Sequence, residues 1–161
     1  MATDALKTMR AGDVIKRKVG KRYITVEGNR YLLFQAKKLE AKVEKEKKEV
    51  SILGRTMKGN KGYSAKGSGT LEIYKNTSLF DDMILKFLND GVDTYFDLQV
   101  VTEDPTSNAG RSSMVLENCN IDEATITAFD VDGDWLSDSI KFTFENVRQP
   151  EKFKILDGMQ A

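Results

Sequence analysis

The stretch Asn76-Thr-Ser-Leu-Phe-Asp-Asp-Met-Ile-Leu-Lys-Phe-Leu-Asn-Asp-Gly91 decides how the rest of the chain is read. Within it Leu79, Phe80, Met83, Ile84, Phe87 and Leu88 recur at three- and four-residue spacing, which gathers them on one stripe of a helix and leaves Asp81, Asp82, Lys86 and Asp90 outside. Ser78 is placed to cap the first turn, Asp81 follows three residues later in capping-box position, and Gly91 supplies a left-handed stop. A short helix with one apolar stripe needs a surface to cover, and the segments around it read as strands. The helix over 76–91 is therefore expected to be a lid on β-structure.

On the N-terminal side, Arg22-Tyr-Ile-Thr-Val-Glu27 and Arg30-Tyr-Leu-Leu-Phe-Gln-Ala36 are β-rich runs joined by Gly28-Asn29, the signature of a hairpin with a two-residue primed turn. Lys37–Ser51 is ambiguous: Lys, Glu and Ala favour helix, yet Leu39, Ala41 and Val43 alternate with Glu40, Lys42 and Glu44 as in a strand. Its centre, Glu44–Glu49, has no apolar stripe to bury as a helix, so 37–51 is expected to be two strands with a long charged loop projecting between them. Gly54–Gly69, rich in Gly, Lys and Ser, reads as a mobile loop that leads into the strand Thr70-Leu-Glu-Ile-Tyr-Lys75.

On the C-terminal side, Thr94–Thr102 sets Phe96, Leu98 and Val100 on one face of a strand. A turn over Glu103–Gly110 leads to strands at Arg111–Cys119 and Glu123–Phe129, and Ile140-Lys-Phe-Thr-Phe-Glu145 alternates without a fault. The fold class expected from this pattern is mainly β with one principal α-helix, an antiparallel β-sandwich or partly open β-barrel. A chain of 161 residues with 40% hydrophobic and 31% charged residues suits a single globular domain spanning 1–161. Residues 1–20 read as a flexible arm ending in the basic run Ile15–Gly20, a solvated segment in preference to a nucleic-acid arm because no aromatic residue is interleaved. Met1–Arg10 lacks the apolar centre of a secretory signal and no run is long enough to span a bilayer, so a cytosolic protein without membrane contact is expected. The single Cys119 lies in a strand-like run and is expected to be a small packed residue, not a reactive thiol.

Several motifs suggest chemistry and fail on context. Gly62-Tyr-Ser-Ala-Lys-Gly67-Ser68-Gly69 has the look of a phosphate loop, but Ser68 stands where the lysine belongs and a strand follows instead of a helix. Asp130-Val-Asp-Gly-Asp-Trp135 is similar to a calcium loop, but its glycine falls at the fourth place and no glutamate closes it, so a solvated hairpin turn is the better reading. There is no histidine, which removes the commonest general base and metal ligand. No catalytic residues, no cofactor and no metal are expected. The net charge is zero, yet residues 1–75 carry 19 Lys and Arg against 8 Asp and Glu, while residues 76–161 carry 6 against 17. Where the Lys-rich loops cluster, such opposite halves favour head-to-tail self-association over a symmetric dimer; where the two halves interleave, only the loops differ in charge and no charged faces arise.

In order along the chain stand Gly28-Asn29, the charged strand pair ending in Val50-Ser-Ile-Leu-Gly-Arg55, Gly69-Thr-Leu-Glu-Ile-Tyr74, the Thr77–Leu88 helix, Phe96-Asp-Leu-Gln-Val100, Phe129-Asp-Val-Asp132 and Phe142-Thr-Phe144. Over nearly the whole chain this order resembles the tail tube proteins of contractile-tailed phages and phage-like elements, the PBSX type above all, relatives of the type VI secretion tube protein. The resemblance implies a non-enzymatic subunit that builds stacked rings of six around a channel for DNA or other cargo. Its implied partners are further copies of itself, a sheath protein, and baseplate and tape-measure proteins, with DNA only in passage. Its implied place is the bacterial cytoplasm during assembly and then the virion tail or phage-like particle. Under that resemblance the charged arm Lys42, Glu44, Lys45, Glu46, Lys47, Lys48 and Glu49 is the candidate for ring stacking, and Thr70, Glu72, Lys141, Thr143 and Glu145 for the channel wall. Two other classes stay open: a monomeric β-sandwich ligand-binding module using Trp135 and scattered tyrosines, and, more distantly, a hydrolase; a secretion-type tube is a variant of the first reading.

Overall fold

The structure, a computed structural model, describes residues 8–159. Among the described residues eight strands are present, β1 (Lys21–Val26), β2 (Asn29–Leu32), β3 (Ala36–Val50), β4 (Gly59–Tyr74), β5 (Phe96–Glu103), β6 (Arg111–Glu123), β7 (Ser137–Phe144) and β8 (Asn146–Glu151), with helix α1 (Leu79–Asp90) between β4 and β5. All pairings are antiparallel, in the order β2-β1-β5-β6-β7-β4-β3, and β8 adds to β6. This is the expected class, mainly β with one principal helix. The two edge strands β2 and β3 are separated by only Leu33–Gln35, so their ends lie within about 15 Å of each other at 3.8 Å per residue. The sheet therefore curls round its core and stays partly open.

Curvature enters at β6, where Asn118 adopts φ 54° and the register against β5 slips between Phe96 and Leu98. This bulge lets the first part of β6 pair with β5 and β8 and the last part with β7. Ile24 of β1, Leu98 of β5, Leu71 and Ile73 of β4, and Ile140, Phe142 and Phe144 of β7 meet in one buried cluster between the two halves of the sheet. An aromatic file crosses it: Phe80 meets Phe96 edge-on at 6.2 Å, Phe96 lies 6.4 Å from Phe142, and Phe142 lies 6.4 Å from Phe144. Each buried phenyl ring of this kind stabilises the fold by roughly 1.5–3 kcal/mol. Cys119 is fully buried with Sγ 3.5 Å from the Leu116 carbonyl, and burial pushes its thiol up to about 12, so it is a packing residue.

The helix stripe is only half buried. Phe80 and Met83 are in the core and Leu79 and Ile84 are partly covered, but Phe87 is 51% exposed and Leu88 67%, contrary to a stripe buried from end to end. The sheet underlies the first two turns and not the last, so Leu85, Phe87 and Leu88 face outward. The stop is as expected, with Gly91 at φ 69° and its N–H donating to the Phe87 carbonyl at 2.9 Å. The start differs: Ser78 makes no side-chain cap, Thr77 Oγ1 accepts from the Leu79 N–H at 3.3 Å, and Asp81 is drawn away by Lys75.

Other expectations are corrected. Lys37–Ser51 is not strand-loop-strand: β3 runs unbroken from Ala36 to Val50 and pairs down its length with β4, which also absorbs most of the loop expected over 54–69. The turn is confined to residues 51–58. A run of alternating Lys and Glu needs no buried face in a strand whose backbone is already paired. Glu123–Phe129 is not a separate strand, because β6 reaches Glu123 and residues 124–136 form the loop to β7. The β1–β2 turn is Glu27-Gly28, both at positive φ, one residue before the expected Gly28-Asn29, since Asn29 pairs with Val26. On β5 the buried position after Leu98 is Val101, not Val100. Gly20 passes so close that a Cβ there would come 2.5 Å from the Val101 carbonyl oxygen, covering that face instead. Of the 1–20 arm, residues 1–7 lie outside the described residues. Asp13 accepts from the Asn108 N–H at 3.0 Å, and the Lys16 N–H donates to Asp104 at 3.2 Å, which ties the described part to the β5–β6 turn.

Candidate functional site

Among the described residues no group of His, Cys, Asp and Glu could hold a metal ion. What the fold presents instead is extended surface, in three parts: a projecting hairpin, a polar sheet face and open strand edges. The hairpin comes from the mismatch between long β3 and β4 and shorter β7. β7 pairs with β4 only over Gly67–Tyr74, leaving Glu44–Val50 and Gly59–Lys66 as a two-stranded ribbon beyond the body. At its root the rings of Phe142 and Phe144 lie directly on β4, where a Cβ at Gly69 or Gly67 would come within 2.5 Å and 2.2 Å of them. Glycine is required there for close approach, which explains the Gly-rich stretch that resembles a phosphate loop.

The stacking candidates Lys42, Glu44, Lys45, Glu46, Lys47, Lys48 and Glu49 all lie on β3 and are exposed, as strand residues instead of loop residues. Their charges are partly matched within the hairpin. Glu46 accepts from Ser64 Oγ at 2.8 Å and lies 3.7 Å from Lys66, Glu49 lies 3.6 Å from Lys58, and the Lys48 ammonium sits 3.7 Å above the Tyr63 ring. Lys42 lies 3.2 Å from Glu40, and that hydrogen bond, with the nearby charge of Lys38, holds the Glu40 carboxyl below its ordinary range. The ribbon ends in Ile52, Leu53 and Met57, all exposed.

The channel-wall candidates come together on the outer face of the sheet. Thr70 pairs with Lys141 and Ser68 with Thr143, with Glu72 opposite Ser139 and Lys42, Glu40 and Lys38 beside them on β3. Lys141 reaches Glu123 at 3.6 Å, so this face is polar and close to neutral. Glu145 does not join it: it lies past the end of β7 at the β6 bulge, where it accepts from Asn118 Nδ2 at 3.3 Å.

At the opposite end of the sheet from the hairpin tip, a buried ion cluster fastens helix, sheet and loop. Lys75 Nζ donates to Asp81 at 2.6 Å, to the Thr125 carbonyl at 2.7 Å and to Asp138 at 3.4 Å, while Asp138 accepts from the Thr125 N–H at 2.8 Å. Burial acts to lower the Lys75 pKa, but the Asp81 hydrogen bond and the Asp138 charge outweigh it and leave the ammonium above its ordinary value. The spacing of Lys75, Asp81 and Asp138 carries no motif, and sequence reasoning missed the cluster.

The chain matches a family described as phage tail tube protein over residues 7–151. Phage-like element PBSX protein XkdM of Bacillus subtilis strain 168 is 38% identical over 144 residues, covering 89% of this chain and 95% of the relative. Among solved structures, a chain of the sheath–tube complex of an extracellular contractile injection system, PVC, in the extended state aligns with TM-score 0.63 at 12% identity, over 84% of this chain and 90% of that one. A chain of the anti-feeding prophage baseplate, solved with six-fold symmetrisation, aligns with TM-score 0.60 at 11% identity, over 92% and 97% of the two chains. At these identities the structural likeness is one of fold.

Proposed function

The chain belongs to the phage tail tube protein family, and from that premise we propose that it is a structural subunit of a contractile phage or phage-like tail tube. In this reading it assembles into hexameric rings that stack around a channel for DNA or other cargo. The observation that carries the proposal is the fifteen-residue edge strand β3, which continues past the body as an exposed ribbon. A long free edge recruits a neighbouring strand, and a closed ring of identical subunits satisfies every such edge while leaving none to aggregate. Six subunits is the proposed number because a neighbour in fold was solved with that symmetry. The near-neutral face bearing Thr70, Glu72, Lys141 and Thr143 suits a channel wall, since without a cluster of unpaired cations it would not capture phosphates and cargo would pass.

The role is mechanical and non-enzymatic. Partners in this reading are further copies of the chain, a sheath around the tube, and baseplate and tape-measure proteins at its end and inside it. Assembly takes place in the bacterial cytoplasm, and the finished subunit resides in the virion tail or phage-like particle. Among the described residues no helix is long and apolar enough to cross a membrane. Electron microscopy and sedimentation of concentrated protein test the proposal. Six-fold rings or tubes are expected; a protein that stays monomeric at every concentration would overturn it and favour the binding-module reading.

A further inference from the structure

Two exposed patches at opposite ends of the sheet complement each other in charge and in apolar character. The turn end of the hairpin, residues 51–61, carries Arg55, Lys58 and Lys61 and no carboxylate, together with exposed Ile52, Leu53 and Met57. The loop between β6 and β7, residues 124–136, carries Asp130, Asp132 and Asp134 and no Lys or Arg. It also exposes Phe129 at 91%, Val131 at 82% and Trp135 at 76%. Large apolar side chains this exposed within one short loop mark a surface that something covers.

The loop is anchored at both ends. One end is fixed by the Thr125–Asp138–Lys75 cluster and the other by the Lys75 N–H, which donates to the Leu136 carbonyl at 2.9 Å. Its apex is a turn in which Asp130 accepts from the Asp132 N–H at 3.0 Å. The aromatic and acidic side chains are thus presented on a braced loop, with little ordering cost left for docking.

Strand direction places the two patches head to tail. β4 leaves the basic turn at Gly59 and ends at Tyr74, which pairs with Ser137, the residue after the acidic loop. At roughly 3.3 Å per residue, the 16 residues of β4 separate the two ends by about 50 Å along the strand axis. A second copy displaced along that axis meets the acidic loop of one molecule with the basic turn of the next. The contact is heterologous and does not close on itself, so it extends into a stack.

We infer that the 51–61 turn of one copy docks on the 129–135 loop of a second copy, with Leu53 and Met57 against Phe129, Val131 and Trp135, and Arg55, Lys58 and Lys61 against the three aspartates. This rests on the reading of the chain as a stacking tube subunit and names the two surfaces that meet. Cysteine cross-linking tests it directly. Leu53→Cys and Val131→Cys chains, mixed and mildly oxidised, should give a mixed disulfide dimer, while neither variant alone dimerises; the native Cys119 is fully buried and stays out of the reaction. Reversing Arg55, Lys58 and Lys61 to Glu should cut the cross-linked yield by about tenfold at low salt, and reversing Asp130, Asp132 and Asp134 to Lys in the partner should restore it. Thermal melts on each variant confirm folding.

In micrographs the hairpin reversal should leave single rings that no longer stack. Absence of the mixed dimer in folded variants, dimers from either variant alone, or a yield untouched by charge reversal would overturn the docking, the first leaving the loop to a different protein partner. Mixed dimers from the two cysteine variants, with a wild type that forms no rings, would uphold the docking and sink the ring proposal.

Discussion

The inner and outer halves of the β3–β4 hairpin are built on one continuous ladder and are stabilised by different means. Near the body, Leu71 and Ile73 are buried and the Phe142 and Phe144 rings lie on the β4 glycines. Farther out, Glu44–Val50 is exposed residue by residue, and the ribbon is held by backbone pairing and ion contacts such as Lys66 with Glu46. An isolated two-stranded ribbon in water is marginal and exposed ion pairs contribute little. The inner half thus belongs to the fold, and the outer half adds little to its stability.

The largest effect should come from emptying the inner half. Phe142→Ala should destabilise the monomer by about 3–5 kcal/mol, measured by chemical denaturation, because a fully buried ring leaves a cavity at the centre of the aromatic file. Lys75→Met should fall in a similar range, about 3–5 kcal/mol, because it strands Asp138, 1% exposed, without its cation. Its pH dependence has a definite sign. The folded pKa of Lys75 is raised, so its stabilisation is complete below the ordinary lysine value of 10.5 and is lost as pH rises through the higher folded value. A melting-temperature profile above that pH should fall in the wild type by more than in the variant.

The same substitution in the two halves then sharpens the contrast. Gly69→Ala would bring Cβ to 2.5 Å from the Phe142 ring and 2.9 Å from the Glu40 carbonyl oxygen, neither free to move, and should cost about 1–3 kcal/mol. Gly62→Ala meets only the flexible end of Lys45 and should change stability by less than about 0.5 kcal/mol. Equal losses at the two sites would break the division into halves. A small effect on the monomer is likewise expected from Lys45, Lys47 and Lys48 reversed to Glu, below about 1 kcal/mol in total, most of it from the Lys48–Tyr63 contact. Sedimentation of that variant should nonetheless show weaker assembly; unaltered assembly would remove these three residues from the stacking surface.

The same contrast explains which parts were legible. Phe80 and Met83 announce their burial through period and prove buried, whereas Phe87 and Leu88 share that period and are exposed, since periodicity marks a face of the helix and not the length of sheet beneath it. The charged centre of β3 reads as a loop because alternating Lys and Glu offer no buried face, yet the β4 backbone supplies its pairing from 11 to 22 residues away along the chain. β8 has no alternation and Pro150 within it, and it escapes notice because only pairing with β6 makes it a strand. The acidic loop at 129–135 stands out by sequence as a turn, but the hydrogen bonds of Lys75 and Asp138 to Thr125 that anchor it are written nowhere in its own residues.

Read alone, the sequence determined an antiparallel β protein with one helix, the hairpin near Gly28, the αL stop at Gly91, and the order of landmarks that resembles a tail tube protein. Those features are local: an alternation, a helical period or a glycine at a stop is written within a few neighbouring residues. Only the tertiary structure decided how far β3 and β4 outrun β7, which half of the helix stripe is covered, and that Lys75 sits between Asp81 and Asp138. Each of these depends on where a distant strand ends, and burial and ion pairing belong to the two surfaces that meet.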